Sequence, residues 1–267
     1  MAKYERTEGI CLRRLDYSNT SQVATFLTPD VGRLPFICKG IRRAPKRGIS
    51  RGLELGARYK LVYFKRRTSS LYTLTDHRML ESYRGVRQAI ERTLCTYYAV
   101  ELMRNFTAEN APCPQLYRQL VHAQRRFCRG ENLGLTVLFL EIGCLRDYGM
   151  LPTFDLCAEC GQQLRSGGRL TFSASHGGPL CRPCARKINH RPGDSMPVRG
   201  RRLQALASLC SHPPDRLGDI SMRPKEIVAT SRLLRFHIRY LLGKELTMWK
   251  YLHGRHLSRS LRRLREG

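Results

Sequence analysis

The chain has 267 residues, of which 42% are hydrophobic, so it can bury real cores and is not a disordered polycation. Lys and Arg total 48 against 21 Asp and Glu, and the formal net charge of +27 predicts an anionic partner: nucleic acid first, with an anionic membrane surface as the alternative. No apolar run approaches the roughly 18 residues of a membrane span. The charged first residues lack the apolar core of a signal peptide, so we expect a soluble cytoplasmic protein.

Residues 7–83 are predicted to form strands and turns. Five short β-rich runs show partial alternation of apolar and polar residues: GICLRRLDY, QVATFLT, LPFICKGI, ARYKLVYFKR and SLYTLTDHRMLESY. TPDVGR joins the second and third runs as a tight hairpin, with Pro29 and Gly32 as turn residues. Five such strands suit the OB-fold, a small barrel with a nucleic-acid-binding face, although the pattern alone would fit an SH3-like barrel equally well.

The pattern becomes helical after Tyr83. A first helix is predicted from apolar residues that recur at every fourth position, namely Val86, Ile90, Leu94, Tyr98 and Leu102. APCP at 111–114 interrupts it, and a second helix ends near Gly130. A third, over 131–148, is apolar on more than one face and is predicted to be the central core helix. Two further helices are expected at 198–210 and 223–243.

The organisation that follows is an α+β multidomain fold. We expect an OB-fold domain at 1–83 and a helical domain at 84–267, with a four-cysteine motif inserted at 153–190. The inserted stretch is rich in Gly, Ser and Pro, is predicted to form a β-hairpin-like excursion between the cysteine pairs, and has too few apolar residues to fold unaided.

Eleven cysteines, an odd number, argue against a disulfide framework in a reducing compartment. Four of them follow the spacing C-x2-C-x20-C-x2-C, which is typical of a zinc ribbon: Cys157, Cys160, Cys181 and Cys184. Four thiolates would close a tetrahedral shell around one Zn²⁺ and leave no open position for water. We therefore expect one structural zinc per chain rather than a catalytic one.

Other interpretations of these cysteines are weaker. A thioredoxin-like pair needs a single Cys-x-x-Cys at a helix start, and a zinc deaminase needs His-x-Glu upstream of Pro-Cys-x-x-Cys, whereas Leu180 precedes Cys181 here. His176 could replace one cysteine as a ligand, and the four cysteines could also bind no metal. The other seven are expected to be small buried apolar residues: Cys11, Cys38, Cys95, Cys113, Cys128, Cys144 and Cys210.

A basic loop, KGIRRAPKRGISRG at 39–52, lies between the third and fourth predicted strands. We predict that it contacts DNA through six cations, joined by three more at the end of the fourth strand: Lys39, Arg42, Arg43, Lys46, Arg47 and Arg51, with Lys65, Arg66 and Arg67. Aromatic residues nearby could stack on bases, namely Phe36, Tyr59, Tyr63, Phe64 and Tyr72. The alternative is a merely solvated charged face.

Catalytic patterns are missing from the sequence. It contains no P-loop, no Gly-x-Ser-x-Gly and no His-Glu-x-x-His, and its scattered carboxylates do not suit a two-metal nuclease. Asp155 and Glu159 flank the cysteines, but a metal with four sulfur ligands has nothing for them to activate. We therefore predict a protein that is not an enzyme and has no catalytic residues.

Several motifs, taken in order, are similar to those of a known family. They are GICLRRLDYSNTSQVATFLTPDVGRLPFICKGIRR, YTLTDHRMLESYRGVR, AVELM, LYRQL and YGMLPTFDLCAECGQQL followed by GGPLC. Together they resemble RecO, the bacterial recombination mediators and DNA-repair proteins. The resemblance covers most of the chain. It implies an N-terminal OB-fold, a helical domain and, as in many members, a four-cysteine zinc motif.

The resemblance also implies function. RecO proteins bind single- and double-stranded DNA, anneal complementary strands, and work with RecR and the acidic C-terminal tail of single-stranded-DNA-binding protein to load RecA. We thus expect a nucleoid-associated mediator of recombination and DNA repair. Two alternatives remain from the residues: a zinc-containing enzyme that processes nucleic acid, and an RNA-binding OB module. Intact DNA on a denaturing gel would argue against the first, and competition between DNA and RNA oligonucleotides would decide the second.

Overall fold

A computed structural model of the chain describes residues 3–42, 52–65, 69–164, 167–188, 193–212, 217 and 220–252. The chain divides into two compact units. The first begins with five strands: β1 (Glu5–Asp16), β2 (Gln22–Thr28), β3 (Gly32–Cys38), β4 (Arg58–Lys65) and β5 (Tyr72–Glu81). They close into a barrel in the order β1-β2-β3-β5-β4, in which β3 and β5 run parallel. This five-stranded Greek-key barrel confirms the OB-fold prediction over the SH3-like alternative.

The barrel core follows from strand alternation. Alternate residues of β3 are buried, and the Phe36 ring meets the rings of Phe26 and Tyr63 edge-on at 5.6 and 5.2 Å between centroids. Gly32 has a φ of 81°, and a Cβ there would lie 2.1 Å from the carbonyl oxygen of Ala111. The β2–β3 hairpin therefore needs glycine at this position, as the TPDVGR motif predicted.

The first unit also contains helices. After a 3₁₀ turn at Arg84–Gln88 come α1 (Ile90–Phe106) and α2 (Pro114–Arg129), and α2 ends at Gly130 with left-handed backbone, as predicted. A short C-terminal helix (Trp249–Leu252, α7 in chain order) packs on α1, where Trp249 meets Tyr98 at 5.7 Å. The carboxylate of Glu101 accepts the backbone N–H groups of Thr247 and Met248, each at 2.8 Å.

The second unit holds the remaining elements. They are most of α3 (Leu133–Asp147), then β6 (Arg169–Ser173), β7 (Gly178–Leu180), α4 (Arg182–Lys187), β8 (Ser195–Arg199), α5 (Gly200–Ser211) and α6 (Pro224–Leu242). The three strands form an antiparallel sheet in the order β7-β6-β8. Every residue of α3 from Leu135 to Leu145 is buried, which confirms its prediction as a central core helix. None of the described helices is long and apolar enough to cross a membrane.

Three short elements were not predicted. β8 contains Pro197, which resembles a loop in the sequence, and α4 and α7 are too short to show helical periodicity. α1 and α2 belong to the same compact unit as the barrel, so the domain boundary expected at residue 83 stays a prediction.

Candidate metal centre and nucleic-acid interface

The two Cys-x-x-Cys pairs come together. The Sγ atoms of Cys157, Cys160, Cys181 and Cys184 all lie within 4.8 Å of one another. The sulfurs of Cys160 and Cys181 are 3.8 Å apart. In a tetrahedral site with Zn–S bonds of about 2.3 Å, two sulfurs are separated by about 3.8 Å. The arrangement can therefore hold a metal ion, as the spacing predicted.

Local hydrogen bonds shape the first pair. The backbone N–H of Cys157 donates to the carbonyl of Gln162 at 2.8 Å, and the N–H of Gly161 returns to the carbonyl of Cys157 at 2.9 Å. Gly161 has a φ of 71°, which lets the chain turn back directly after Cys160. A further hydrogen bond, from the N–H of Leu164 to the carbonyl of Asp155 at 2.8 Å, closes the loop that carries Cys157 and Cys160.

The second pair lies at a strand-to-helix junction. Cys181 follows β7 and precedes α4, while Cys184 lies within α4 itself. The two pairs are joined by the N–H of Ala158, which donates to the carbonyl of Pro179 at 2.8 Å. The N–H of Cys181 also donates to the Sγ of Cys157 at 3.3 Å. These backbone amides hold the two cysteine pairs next to each other.

Electrostatics at the cluster favour at least one thiolate. Burial raises the pKa of Cys157, but backbone N–H groups of Cys160, Cys181 and Glu159 stabilise its charged form and bring the pKa to about 6. A hydrogen bond to Cys181 has the opposite effect on Cys184 and raises its pKa to about 12. A bound cation would deprotonate coordinating thiols outright.

His176 is not part of the cluster. Its Nδ1 lies 2.9 Å from the Oγ of Ser173, and its Nε2 lies 3.7 Å from the carboxylate of Glu159. Among the described residues, the four cysteines are the one group of three or more metal-ligating side chains that converge. Of the other seven cysteines, Cys128 and Cys210 are half-buried, and the remaining five are buried as predicted.

Three of the nine predicted DNA-contacting cations can be placed. Lys39 is exposed, as is Lys65, whose Nζ lies 5.3 Å from the centre of the Tyr72 ring. The guanidinium of Arg42 pairs with the carboxylate of Asp16 at 3.1 Å. The other six lie outside the described residues: Arg43, Lys46, Arg47, Arg51, Arg66 and Arg67.

Strand register brings these cations to one end of the barrel. Gln22, the first residue of β2, pairs with Cys38 at the end of β3, so Lys39 lies beside the β1–β2 turn. Tyr72, the first residue of β5, pairs with both Phe36 and Lys65. The end of β3, the β1–β2 turn, the end of β4 and the start of β5 therefore share this end of the barrel, called here the basic end. Its contact with DNA stays a prediction.

The prediction that nearby aromatic residues stack on bases was wrong for most of them. Phe36, Tyr59 and Tyr63 are at most 2% exposed, and Tyr72 is 8% exposed, because they fall on the inward positions of their strands. Phe64 is half-buried and packs edge-on against Tyr4 at 5.6 Å.

Tyr17 is the aromatic residue that the sequence analysis missed. It is 71% exposed and lies in the β1–β2 turn at the basic end. Its position inside the polar run DYSNTS, beyond the last paired residue of a strand, was the available signal. An exposed ring on this turn is suited to stacking on a base.

Two family models match the chain. The model described as Recombination protein O N terminal matches residues 1–83, and the one described as Recombination protein O C terminal matches residues 87–250. The chain belongs to the RecO family. The resemblance noted in the sequence is thereby confirmed.

Curated relatives support the same assignment, and each of the following is named DNA repair protein RecO. The protein from Syntrophus aciditrophicus is 26% identical over 92% of this chain and 94% of its own length. The Bacillus subtilis protein is 24% identical over 92% of this chain and 93% of its own length. The Rhodopirellula baltica protein is 30% identical over 77% of this chain and 74% of its own length. RecO similarity thus extends over both compact units.

Proposed function

We propose that this protein is a non-enzymatic, DNA-binding recombination mediator that acts in DNA repair. The observation that carries the proposal is RecO family membership across both units, combined with cations and an exposed aromatic ring at one end of an OB barrel. The curated relatives are named DNA repair proteins, which supports the cellular role.

The basic end would hold a single strand. Lys39, Lys65 and Arg42 would neutralise phosphates, and Tyr17 would stack on a base between them. The remaining cations of the 39–52 loop and of the β4–β5 loop would extend the phosphate contacts. Because these contacts are made to the backbone and to ring faces, binding would show little sequence preference.

The four cysteines would hold one Zn²⁺ in the second unit. A zinc ion bound by four cysteine sulfurs would stabilise the fold of the surrounding chain. It would have no open coordination position for a reaction. The fit rests on the sulfur spacing and on the amide N–H groups directed at Cys157. Around the site, β6, β7 and α4 are short elements, which suits a segment that depends on a metal for stability.

The protein would anneal complementary strands without a nucleotide cofactor. Two strands repel each other through their phosphates, and a surface with a net charge of +27 can hold both while lowering that repulsion. Pairing then releases a mean of roughly 1.4 kcal/mol of stacking per base-pair step, so no fuel is required. Annealing should therefore proceed without ATP and slow as salt screens the protein–DNA attraction.

Membership of the RecO family supports a proposal about protein partners. We propose that RecR and single-stranded-DNA-binding protein cooperate with this protein in loading RecA, and that it works in the cytoplasm at the nucleoid. The acidic C-terminal tail of the coating protein is complementary to the strong positive charge of this chain. Deleting that tail should slow annealing of coated strands and leave annealing of naked strands unchanged.

One experiment tests the proposal. Complementary labelled strands are mixed with the protein in the presence and absence of ATP, and products are separated on native and denaturing gels. Rapid duplex formation without ATP, with full-length strands on the denaturing gel, supports a non-enzymatic mediator. A requirement for ATP, or cleaved strands, would contradict it. An excess of RNA that displaced DNA completely would indicate an RNA-binding protein instead.

A further inference from the structure

An arginine-lined cleft opens in the second unit, where β6 and β8 pair and α5 begins. Its volume is about 320 Å³, and it is lined by Gly167, Gly168, Arg169, Arg199, Gly200 and Arg201. The N–H of Gly200 donates to the carbonyl of Gly168 at 3.2 Å, which fixes the start of α5 against the residues that precede β6. The cleft shares no residue with the four cysteines or with the basic end.

The cleft concentrates positive charge. Arg169 and Arg199 are directly opposed in the β6–β8 ladder, a position where like charges destabilise a sheet. Arg201 directly follows Gly200, and the side chains of Arg169, Arg199 and Arg201 are all exposed. Within the part of the chain that the structure describes, none of the three forms an ion pair with a carboxylate.

The surrounding charges reinforce this excess. Partial burial and the neighbouring cations Arg199, Arg201 and Arg232 lower the pKa of the Arg202 guanidinium. The carboxylate of Glu226 also interacts with Arg201, but it accepts hydrogen bonds from the backbone and side chain of Arg223, at 3.1 and 2.5 Å. Arg202 thus lies near three other guanidinium groups, and Glu226, which interacts with Arg201, is already hydrogen-bonded to Arg223.

The lining favours a phosphate backbone as the ligand. Guanidinium groups offer paired N–H donors that match phosphate oxygens, and the three glycines leave the backbone open to close approach. The first turn of α5 carries no acidic residue and has no side-chain cap, so its N–H groups add partial positive charge. Because the lining offers no apolar side chain, it suits a polyanionic strand better than a peptide.

We infer that the arginine cleft binds phosphates of a second DNA strand while the basic end of the barrel holds the first. The inference rests on the proposed function and deepens it, because annealing requires two strands on one protein. Two further cations, Arg202 and Arg232, lie next to the cleft. So many positive charges exceed what a single phosphate needs and suit the successive phosphates of a DNA strand.

The test uses the full-length protein and two oligothymidine strands that cannot pair. One strand carries a donor dye and is bound at stoichiometric amounts, and the second carries an acceptor and is titrated. The test variant is Arg199→Glu/Arg201→Glu. The matched control, Lys187→Glu/Lys244→Glu, makes the same charge change at exposed side chains of the same unit. Circular dichroism checks the fold, and Arg199→Gln/Arg201→Gln replaces the reversal if it unfolds.

The cleft variant should bind the first strand as tightly as the wild type but bind the second strand more weakly. If two phosphate contacts are lost, the salt slope for the second strand should become shallower by about 1.4. The control should retain both affinities.

Other outcomes separate the two proposals. A wild-type protein that binds no strand would refute the proposed function itself. A wild type that binds the first strand but not the second, or a cleft variant with unchanged second-strand affinity, would overturn the cleft proposal alone. The cleft proposal would also be overturned if the variant lost affinity for an oligoglutamate peptide but kept its affinity for the second strand, since the cleft would then be a peptide site.

Discussion

The guanidinium of Arg42 lies 3.1 Å from the carboxylate of Asp16, so the basic loop is attached to the β1–β2 turn where it leaves β3. The backbone N–H of Arg42 reinforces the attachment by donating to the carbonyl of Thr20 at 3.0 Å. Both charged groups remain substantially exposed, and such pairs contribute about 0–1 kcal/mol. A DNA phosphate can therefore compete with Asp16 for this cation at little cost.

Replacing Asp16 by Asn should increase affinity for single strands. The change removes a negative charge from the basic end and releases Arg42 for a phosphate, so the salt slope should steepen by about 0.7. Fluorescence anisotropy with oligothymidine across a salt series measures both quantities. Asp76→Asn, an exposed substitution on β5, is the control and should change neither. Weaker binding by Asp16→Asn would show that the ion pair positions Arg42 productively instead of competing for it.

Replacing Tyr17 by Ala should weaken single-strand binding by about 1–3 kcal/mol, the range for loss of one base–aromatic stack. Tyr17→Phe should bind like the wild type, because stacking uses the ring face and not the hydroxyl. Tyr97→Ala removes an exposed ring from α1 and serves as the control. Equal affinities for Tyr17→Ala and Tyr97→Ala would exclude stacking at this turn.

Metal analysis of protein purified without chelators should find one zinc per chain. Cys181→Ser should lose the metal and destabilise the second unit, because apparent structural zinc affinities reach about 10–16 kcal/mol. Cys210→Ser changes a half-buried thiol outside the cluster and should retain the metal. We expect the barrel to stay folded in both variants, as judged by resolved amide signals from its strands. Metal-free protein with unchanged thermal stability would contradict the structural role.

Glu81 should make the first unit sensitive to acid. Bidentate hydrogen bonds from Arg125, at 2.9 and 2.6 Å, hold the pKa of its carboxyl below the ordinary value, with a further contribution from Arg58. A depressed folded-state pKa stabilises the fold above the unfolded-state value of about 4.3, and this stabilisation is lost as the pH falls through the folded-state value.

The corresponding variant, Glu81→Gln, should lower the free energy of unfolding at neutral pH by up to about 1 kcal/mol, since the groups are partly solvated. Its stability should also fall less steeply than that of the wild type below about pH 4. Urea denaturation at several pH values measures both effects, with the exposed substitution Glu109→Gln as the control. Parallel stability curves for Glu81→Gln and the wild type would contradict the assignment.

Elements with strong local signals could be predicted from the sequence. The strands of the barrel alternate clearly, Gly130 marks the end of α2, and the cysteine spacing anticipates a cluster that needs two segments to meet. The RecO motifs are spread along the chain in a fixed order, which is why the family could be recognised without a structure.

Features that depend on tertiary pairing could not be predicted. Tyr59 and Tyr63 looked like stacking residues beside a basic loop, yet alternation along β4 places them inside the closed barrel. Arg169 and Arg199 lie thirty positions apart in number and face each other only because β8 pairs with β6. The arginine cleft is therefore visible in the sheet register and invisible in the sequence.

The most direct test of the account is single-strand affinity across a salt series for the wild type and for Lys39→Glu/Lys65→Glu. If four to six cations of the basic end each neutralise one phosphate, the wild-type slope of log affinity against log salt should be roughly −3 to −4. The variant should bind more weakly with a slope shallower by about 1.4. Lys60→Glu/Arg78→Glu reverses two exposed charges on β4 and β5 and should retain the wild-type values. A Lys39→Glu/Lys65→Glu protein with the affinity and slope of the wild type would contradict DNA binding at this end of the barrel.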